Sequence, residues 1–162
     1  MKKNIAIICL NDYLRKETAK KVAESTKMHY LDVDELIDFE LISRKQVSLK
    51  CGDVFLKKIE KECISRVVEY ENCVLSVSVD LYLANENSIM LDDCKVVYLA
   101  TEMHNIDISK IKNKKEKIKL QQAMDINNNI NDFLLKTSKI VVENADIKSI
   151  DDIVAEIKSH KG

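Results

Sequence analysis

Proline and tryptophan are absent from these 162 residues, and glycine occurs only twice. At an average usage of about 7%, a chain of this length would carry roughly eleven glycines. One of the two is the terminal Gly162, which leaves Gly52 as the only interior glycine. A glycine-rich loop wrapped around a phosphate needs close backbone approach and left-handed conformations, so such a loop is disfavoured from the outset. Arginine is scarce as well, with Arg15, Arg44 and Arg66 and none afterwards. There is no charge of one sign to spare: 26 basic and 27 acidic side chains leave a net charge of -1. Neither a nucleic acid nor a membrane surface is expected as partner, because both call for a basic excess. No run approaches the ~20 apolar residues of a membrane helix. The apolar run Ile5–Leu10 that follows Met1-Lys2-Lys3-Asn4 is too short for a secretory core and lacks a small-residue cleavage site. Cys9, Cys51, Cys63, Cys73 and Cys94 form no CxxC pair and no Cys/His metal spacing. Scattered among apolar neighbours, they fit a reducing cytoplasm in which cysteine serves as a small hydrophobe.

What is present suffices for one compact domain over residues 1–162, since 46% of the chain is hydrophobic. Apolar, largely β-branched runs predict strands at Ile5–Leu10, Val74–Val79, Val96–Ala100 and Ile140–Val142, with a weaker one at His29–Val33. Their continuity predicts strands covered on both faces, as in a parallel sheet. Helical spacing predicts helices at Arg15–Ser25, Asp53–Tyr70, Gln121–Lys136 and Ile150–Ser159. Strand and helix alternate, the pattern of a layered α/β fold. The stretch 110–119 (KIKNKKEKIK) holds six lysines and one acid; it reads as a solvated helix or loop, with a phosphate-facing lid as the functional alternative. His29, His104 and His160 have no partners at catalytic spacing.

In open α/β sheets ligands bind beyond the carboxyl ends of the strands. There the chain carries Cys9-Leu10-Asn11-Asp12-Tyr13-Leu14-Arg15-Lys16 after the first strand, Tyr30-Leu31-Asp32-Val33-Asp34-Glu35-Leu36-Ile37 around the second, and Ser78-Val79-Asp80 after the third. The second segment resembles the aromatic/apolar-D-x-D-E-L-I segment of the shikimate kinase family. Gly52-Asp53-Val54-Phe55-Leu56-Lys57-Lys58-Ile59-Glu60 is similar to that family's G-E-x-x-F-R-x-x-E helix start. The order of the remaining strands and helices follows the family from Asn4 to about Lys158. The resemblance implies a three-layer α/β/α architecture around a five-stranded parallel sheet, of the P-loop NTPase type.

Against that framework the functional motifs are degenerate. The family's phosphate loop, G-x-x-x-x-G-K-S/T, falls on Cys9 to Lys16. Its glycines become Cys9 and Leu14, its lysine becomes Arg15, and its magnesium-ligating hydroxyl becomes Lys16. Leu14 brings a Cβ where the loop needs none, although Arg15 keeps a cation near a helix N-terminus. The acceptor-binding arginine becomes Lys57, which keeps charge without the bidentate fork. The glycines after the third strand become Ser78, Val79 and Asp80. Residues 103–129 form a shortened lid segment without arginine. Asp32 and Asp34 survive; the resemblance gives the first a magnesium-organising role and the second the acceptor hydroxyls, while Asp34 as the cap of a helix starting at Glu35 is the structural alternative.

The expectation is therefore a shikimate-kinase-like protein that has lost phosphotransfer and is retained for binding or regulation. Any ligand is expected to be a small anionic, shikimate-like metabolite held near Asp34, Lys57 and Asp80. No cofactor is expected. ATP and Mg²⁺ enter only in the alternative of a divergent active kinase, which would use Arg15, Lys16, Lys57 and the lid lysines, with Asp34 and Arg15 as catalytic candidates and Asp32 as the candidate for the metal. A structural interaction protein is the third reading, its protein partner unspecified.

Overall fold

Five apolar stretches pair as one fully parallel sheet in the computed structural model, which describes residues 3–41, 43–84, 86–101, 109 and 111–160. The strands are β1 (Ile5–Cys9), β2 (His29–Asp32), β3 (Cys73–Ser78), β4 (Lys95–Leu99) and β5 (Ile140–Val142), in the order β2-β3-β1-β4-β5. β1 is buried along its whole length because it lies between β3 and β4, and helices cover both faces. This is why its sequence is continuously apolar rather than alternating.

Side chains alternate across the sheet and divide the core in two. Ile5, Ile7 and Cys9 join Val74, Val97 and Leu99 under α1 (Asp12–Thr26) and α8 (Ile150–Ser159). Ala6 and Ile8 join Leu75, Val77, Val96 and Tyr98 on the other face. That face is covered by α2 (Val33–Leu41), α4 (Asp53–Val67) and the end of α7 (Lys114–Thr137). The short helices α3 (Arg44–Cys51), α5 (Val79–Leu83) and α6 (Asn87–Met90) complete the set among the described residues. The three-layer α/β/α arrangement expected from the sequence is the one observed.

Gly52 stands between α3 and α4 at φ 88° and ψ 159°, a region that only glycine occupies without strain. The one interior glycine thus sits where the backbone needs it. All five cysteines are free, and all but Cys51 are buried. Burial pushes the Cys9 and Cys94 thiols up to about 11, so they act as small apolar groups.

Several boundaries differ from the sequence expectation, three of them by a cap the structure reveals. α1 begins at Asp12 rather than Arg15, because Asn11 caps it. Val79 leaves the third strand and opens α5, capped by Ser78. α7 begins at Lys114, well before Gln121, capped by Asn113. Its first turns were hidden because Leu134 is its only buried side chain, so they carry almost no apolar period. Lys114–Lys119 of the lysine run are exposed helix. Lys110 and residues 102–108, which hold the start of the expected lid segment, lie outside the described residues.

Candidate functional site

At the carboxyl edge of β1 the chain turns into α1 through Leu10 and Asn11 alone. Asn11 is extended, and its side chain accepts the Leu14 N–H at 2.9 Å. The Arg15 N–H donates to the Asn11 carbonyl at 3.0 Å, so the helix is already running where a phosphate loop would still be open. A nest of inward-facing N–H groups alternates right- and left-handed residues. The described residues with positive φ are Lys27, Gly52, Asn72 and Asn144, none of them in this turn. Leu14 lies in the core at 1% exposure, while Tyr13 faces outward.

Arg15 is 2% exposed and points back into the fold. Its Nε donates to Ser76 Oγ of β3 at 2.9 Å, and its Nη1 donates to Asp12 Oδ1 at 2.5 Å. Its Nη2 stands 3.9 Å from Asp32 Oδ2 at the end of β2. Asp32 in turn accepts the Glu35 N–H at 2.8 Å and caps α2. The alternative that made Asp34 the cap is thereby corrected: the cap is Asp32, one residue before a helix that starts at Val33 instead of Glu35. Among the described residues Asp32 Oδ2 has no hydrogen-bond partner. The Arg15 guanidinium stands beside it.

Lys16 pairs with Glu35 at 3.0 Å, a hydrogen bond that raises the Lys16 ammonium above its ordinary pKa, and it also feels the charge of Asp32. An ammonium has no lone pair for a metal. No group of three or more His, Cys, Asp or Glu side chains able to hold a metal occurs among the described residues. The free Asp32 oxygen offers one ligand, next to a guanidinium. The ATP–magnesium complex that the fold family implies does not fit this turn: no nest cradles its phosphates, and the one free carboxylate oxygen stands beside a guanidinium, whose charge opposes a magnesium ion.

The other half of the edge is built around Asp34. Its Oδ1 accepts the Ser78 hydroxyl at 2.7 Å and its Oδ2 accepts the Ser78 N–H at 2.7 Å, tying α2 to the end of β3. Arg44, at the start of α3, donates to Asp34 Oδ1 at 3.3 Å and to the Asp34 carbonyl at 2.8 Å. Its Nε lies 2.8 Å from Asp38. From α4, Glu60 lies within electrostatic reach of Arg44, Asp34, Lys57 and Asp38. Lys57 is exposed and lines a shallow cavity of about 530 Å³ with Val54, Lys58, Lys61 and Glu86. Asp80 is exposed in the first turn of α5. The structure thus links Asp34 and Lys57 through the charge of Glu60. Arg44 is the residue sequence reasoning missed; its rarity, as one of three arginines, was the available signal.

Glu60 gives this group a pH signature. Burial pushes its carboxyl up, Arg44 and Lys57 pull it down, and Asp34 and Asp38 push it up again. A carboxyl whose folded pKa lies above its unfolded value binds more protons when folded, so its contribution falls as pH rises through that window. Glu60→Gln should melt above the parent at pH 7, and the gap should close as pH falls towards 4. Melting curves across that range check this; a gap that widens in acid contradicts it.

A cavity of about 370 Å³ adjoins the first turn, lined by Asn11, Leu14, Thr101, Asn144, Ala145, Asp146 and Ile147. It opens at the carboxyl ends of β1, β4 and β5, beside the turn that would hold phosphate. Sheet order, helices on both faces and a site at this edge define an α/β protein of the P-loop kinase type.

Comparison with known proteins narrows the class. The family model described as shikimate kinase matches residues 16–160, and the chain belongs to that family. The match begins at Lys16 and leaves out the β1–α1 turn. Shikimate kinase from Aquifex aeolicus superposes with a TM-score of 0.71 at 21% identity, covering 96% of this chain and 94% of that one. Shikimate kinase from Acinetobacter baumannii, in complex with shikimate, gives 0.70 at 16% identity over 96% and 90%. Dephospho-CoA kinase from Campylobacter jejuni gives 0.61 at 12% identity over 98% and 96%. At these identities the structural likeness speaks for the fold. No curated protein matches the chain significantly.

Proposed function

We propose that this chain is a shikimate-kinase-fold protein without phosphotransferase activity, retained to bind a small anionic metabolite in its acceptor half. The observation that carries the reading is Arg15. At the position of the phosphate-binding lysine, this cation is buried and committed to Ser76 and Asp12. Phosphoryl transfer rests almost wholly on positioning and charge neutralisation. A turn with no nest, an inward arginine and Lys16 paired to Glu35 supplies neither.

The acceptor half supports the binding part of the proposal. Lys57, exposed and in no ion pair among the described residues, is the cation available to a carboxylate, while Arg44 is held by Asp34 and Asp38 and Asp34 is fixed by Ser78 and Arg44. Asp80 opposes an anion, and Lys57 is a hydrated point charge, so affinity is weak and falls with salt. The rival reading, a divergent active kinase, draws on the 370 Å³ cavity and on the surviving Asp34.

Two measurements separate these readings. A coupled ADP-release assay with ATP–Mg²⁺ and shikimate should show turnover at least a thousandfold below the ~1–100 s⁻¹ usual for kinases. Calorimetric titration should give heat with shikimate and none with ATP–Mg²⁺. Ordinary turnover that is lost in Asp34→Asn establishes the active kinase instead. Binding of neither ligand leaves a protein that acts through its surface.

A further inference from the structure

A basic cleft lies at the opposite end of the sheet from the site above. Ile5 and Lys95, the first residues of β1 and β4, stand at its floor, and the C-terminal ends of α1 and α8 form its walls. The cleft holds about 560 Å³, within the usual range for small-molecule sites. Its lining includes Lys3, Lys27, Lys95, Lys158 and His160 and no acidic residue. Between these charges lie Ile5, Met28 and Ile157, buried side chains whose edges face the space.

Two features make this more than a solvated lysine cluster. Helix C-termini ordinarily repel anions through their open carbonyls, but several carbonyls at the end of α1 are already engaged. The Ser25 and Thr26 hydroxyls donate to Val22 O, and the Lys27 and Met28 N–H groups donate to carbonyls of Ala23 and Glu24. The Lys95 ammonium donates to the His160 carbonyl, which holds the end of the chain's last helical segment over β4. Lys3, Lys27 and Lys158 form no ion pair with any described carboxylate. Basic heads around an apolar floor match a molecule with an anionic group and a hydrophobic body.

We infer that this cleft is a second binding site, for an amphipathic organic anion: a carboxylate or phosphate ester carried on an aromatic or aliphatic body. The site is separate from the acceptor half and does not depend on the function proposed above. A backbone-amide NMR titration with 2-naphthoate tests it on the full chain, with 2-naphthol as the neutral counterpart and inorganic phosphate as the bare anion. Saturable one-site shifts are expected at Lys27, Met28, Lys95 and Ile157. 2-Naphthol and phosphate should each bind at least tenfold more weakly. Lys3→Glu/Lys158→Glu should weaken naphthoate at least tenfold, whereas Lys50→Glu on α3 should leave it unchanged. Lys27→Asn, which suits the left-handed backbone at φ 58°, should weaken it severalfold and provides a second variant if the double one does not fold. Equal affinity for 2-naphthol, equal affinity for phosphate, indifference to these substitutions, or no shift in the cleft each overturns the inference.

Discussion

Leu14→Gly, which puts glycine back where the family's phosphate loop has it, should lower stability by about 3–6 kcal/mol. Removing a buried leucine costs ~2–5 kcal/mol through lost burial and the cavity left behind. Glycine inside a helix adds ~1 kcal/mol relative to alanine. Leu14 satisfies both conditions, being 1% exposed in the core under α1 and the third residue of that helix. Domains of this size are stable by only ~5–15 kcal/mol, so the variant approaches its threshold and should unfold at much lower guanidinium concentration. Chemical denaturation checks this. An unchanged midpoint would mean that the turn is not packed as described and retains a loop able to open around phosphate. The change that moves the sequence towards an active kinase is thus expected to damage this fold. The turn is held by its own core contacts.

The strands were legible because the sheet is parallel and covered on both faces, which forces continuous apolar runs such as Ile5-Ala6-Ile7-Ile8. α4 was legible from its apolar period, and Gly52 before it from the family's helix start. The first turns of α7 were not, since helix propensity and the Asn113 cap sustain them with little core contact. The placement of Asp32 and Asp34 on either side of the β2–α2 junction was legible, but not their tasks. Val33 completes the junction as the first helical residue, and that one-position shift hands the cap to Asp32. It frees Asp34 to reach Ser78, a partner 44 residues away that local pattern does not reveal. The partners of Arg44 were hidden for the same reason: its contacts are set by how α3 folds back on α2.

Arg15→Ala should cost about 3–5 kcal/mol, the range for removing one partner from a buried charged group. Arg15 is the largest fully buried side chain that carries a charge, and its loss strands Ser76 Oγ, which is wholly buried, and leaves the Asp32 carboxylate without its neighbouring cation. Arg15→Lys, which restores the family's residue type, should still cost about 1–3 kcal/mol, because an ammonium cannot reproduce the guanidinium fork between Ser76 and Asp12. Removing both charges should be far milder. Arg15→Met/Asp32→Asn keeps bulk at one position and a side-chain oxygen able to cap α2 at the other, and should recover most of the loss. Thermal and chemical unfolding of the three variants measure these differences, and titration with ATP–Mg²⁺ supplies the contrast. If Arg15 served a phosphate, Arg15→Ala would leave the melting transition in place and abolish nucleotide binding. A structural arginine gives the reverse: a large fall in the midpoint, relief by the second substitution, and no nucleotide affinity to lose.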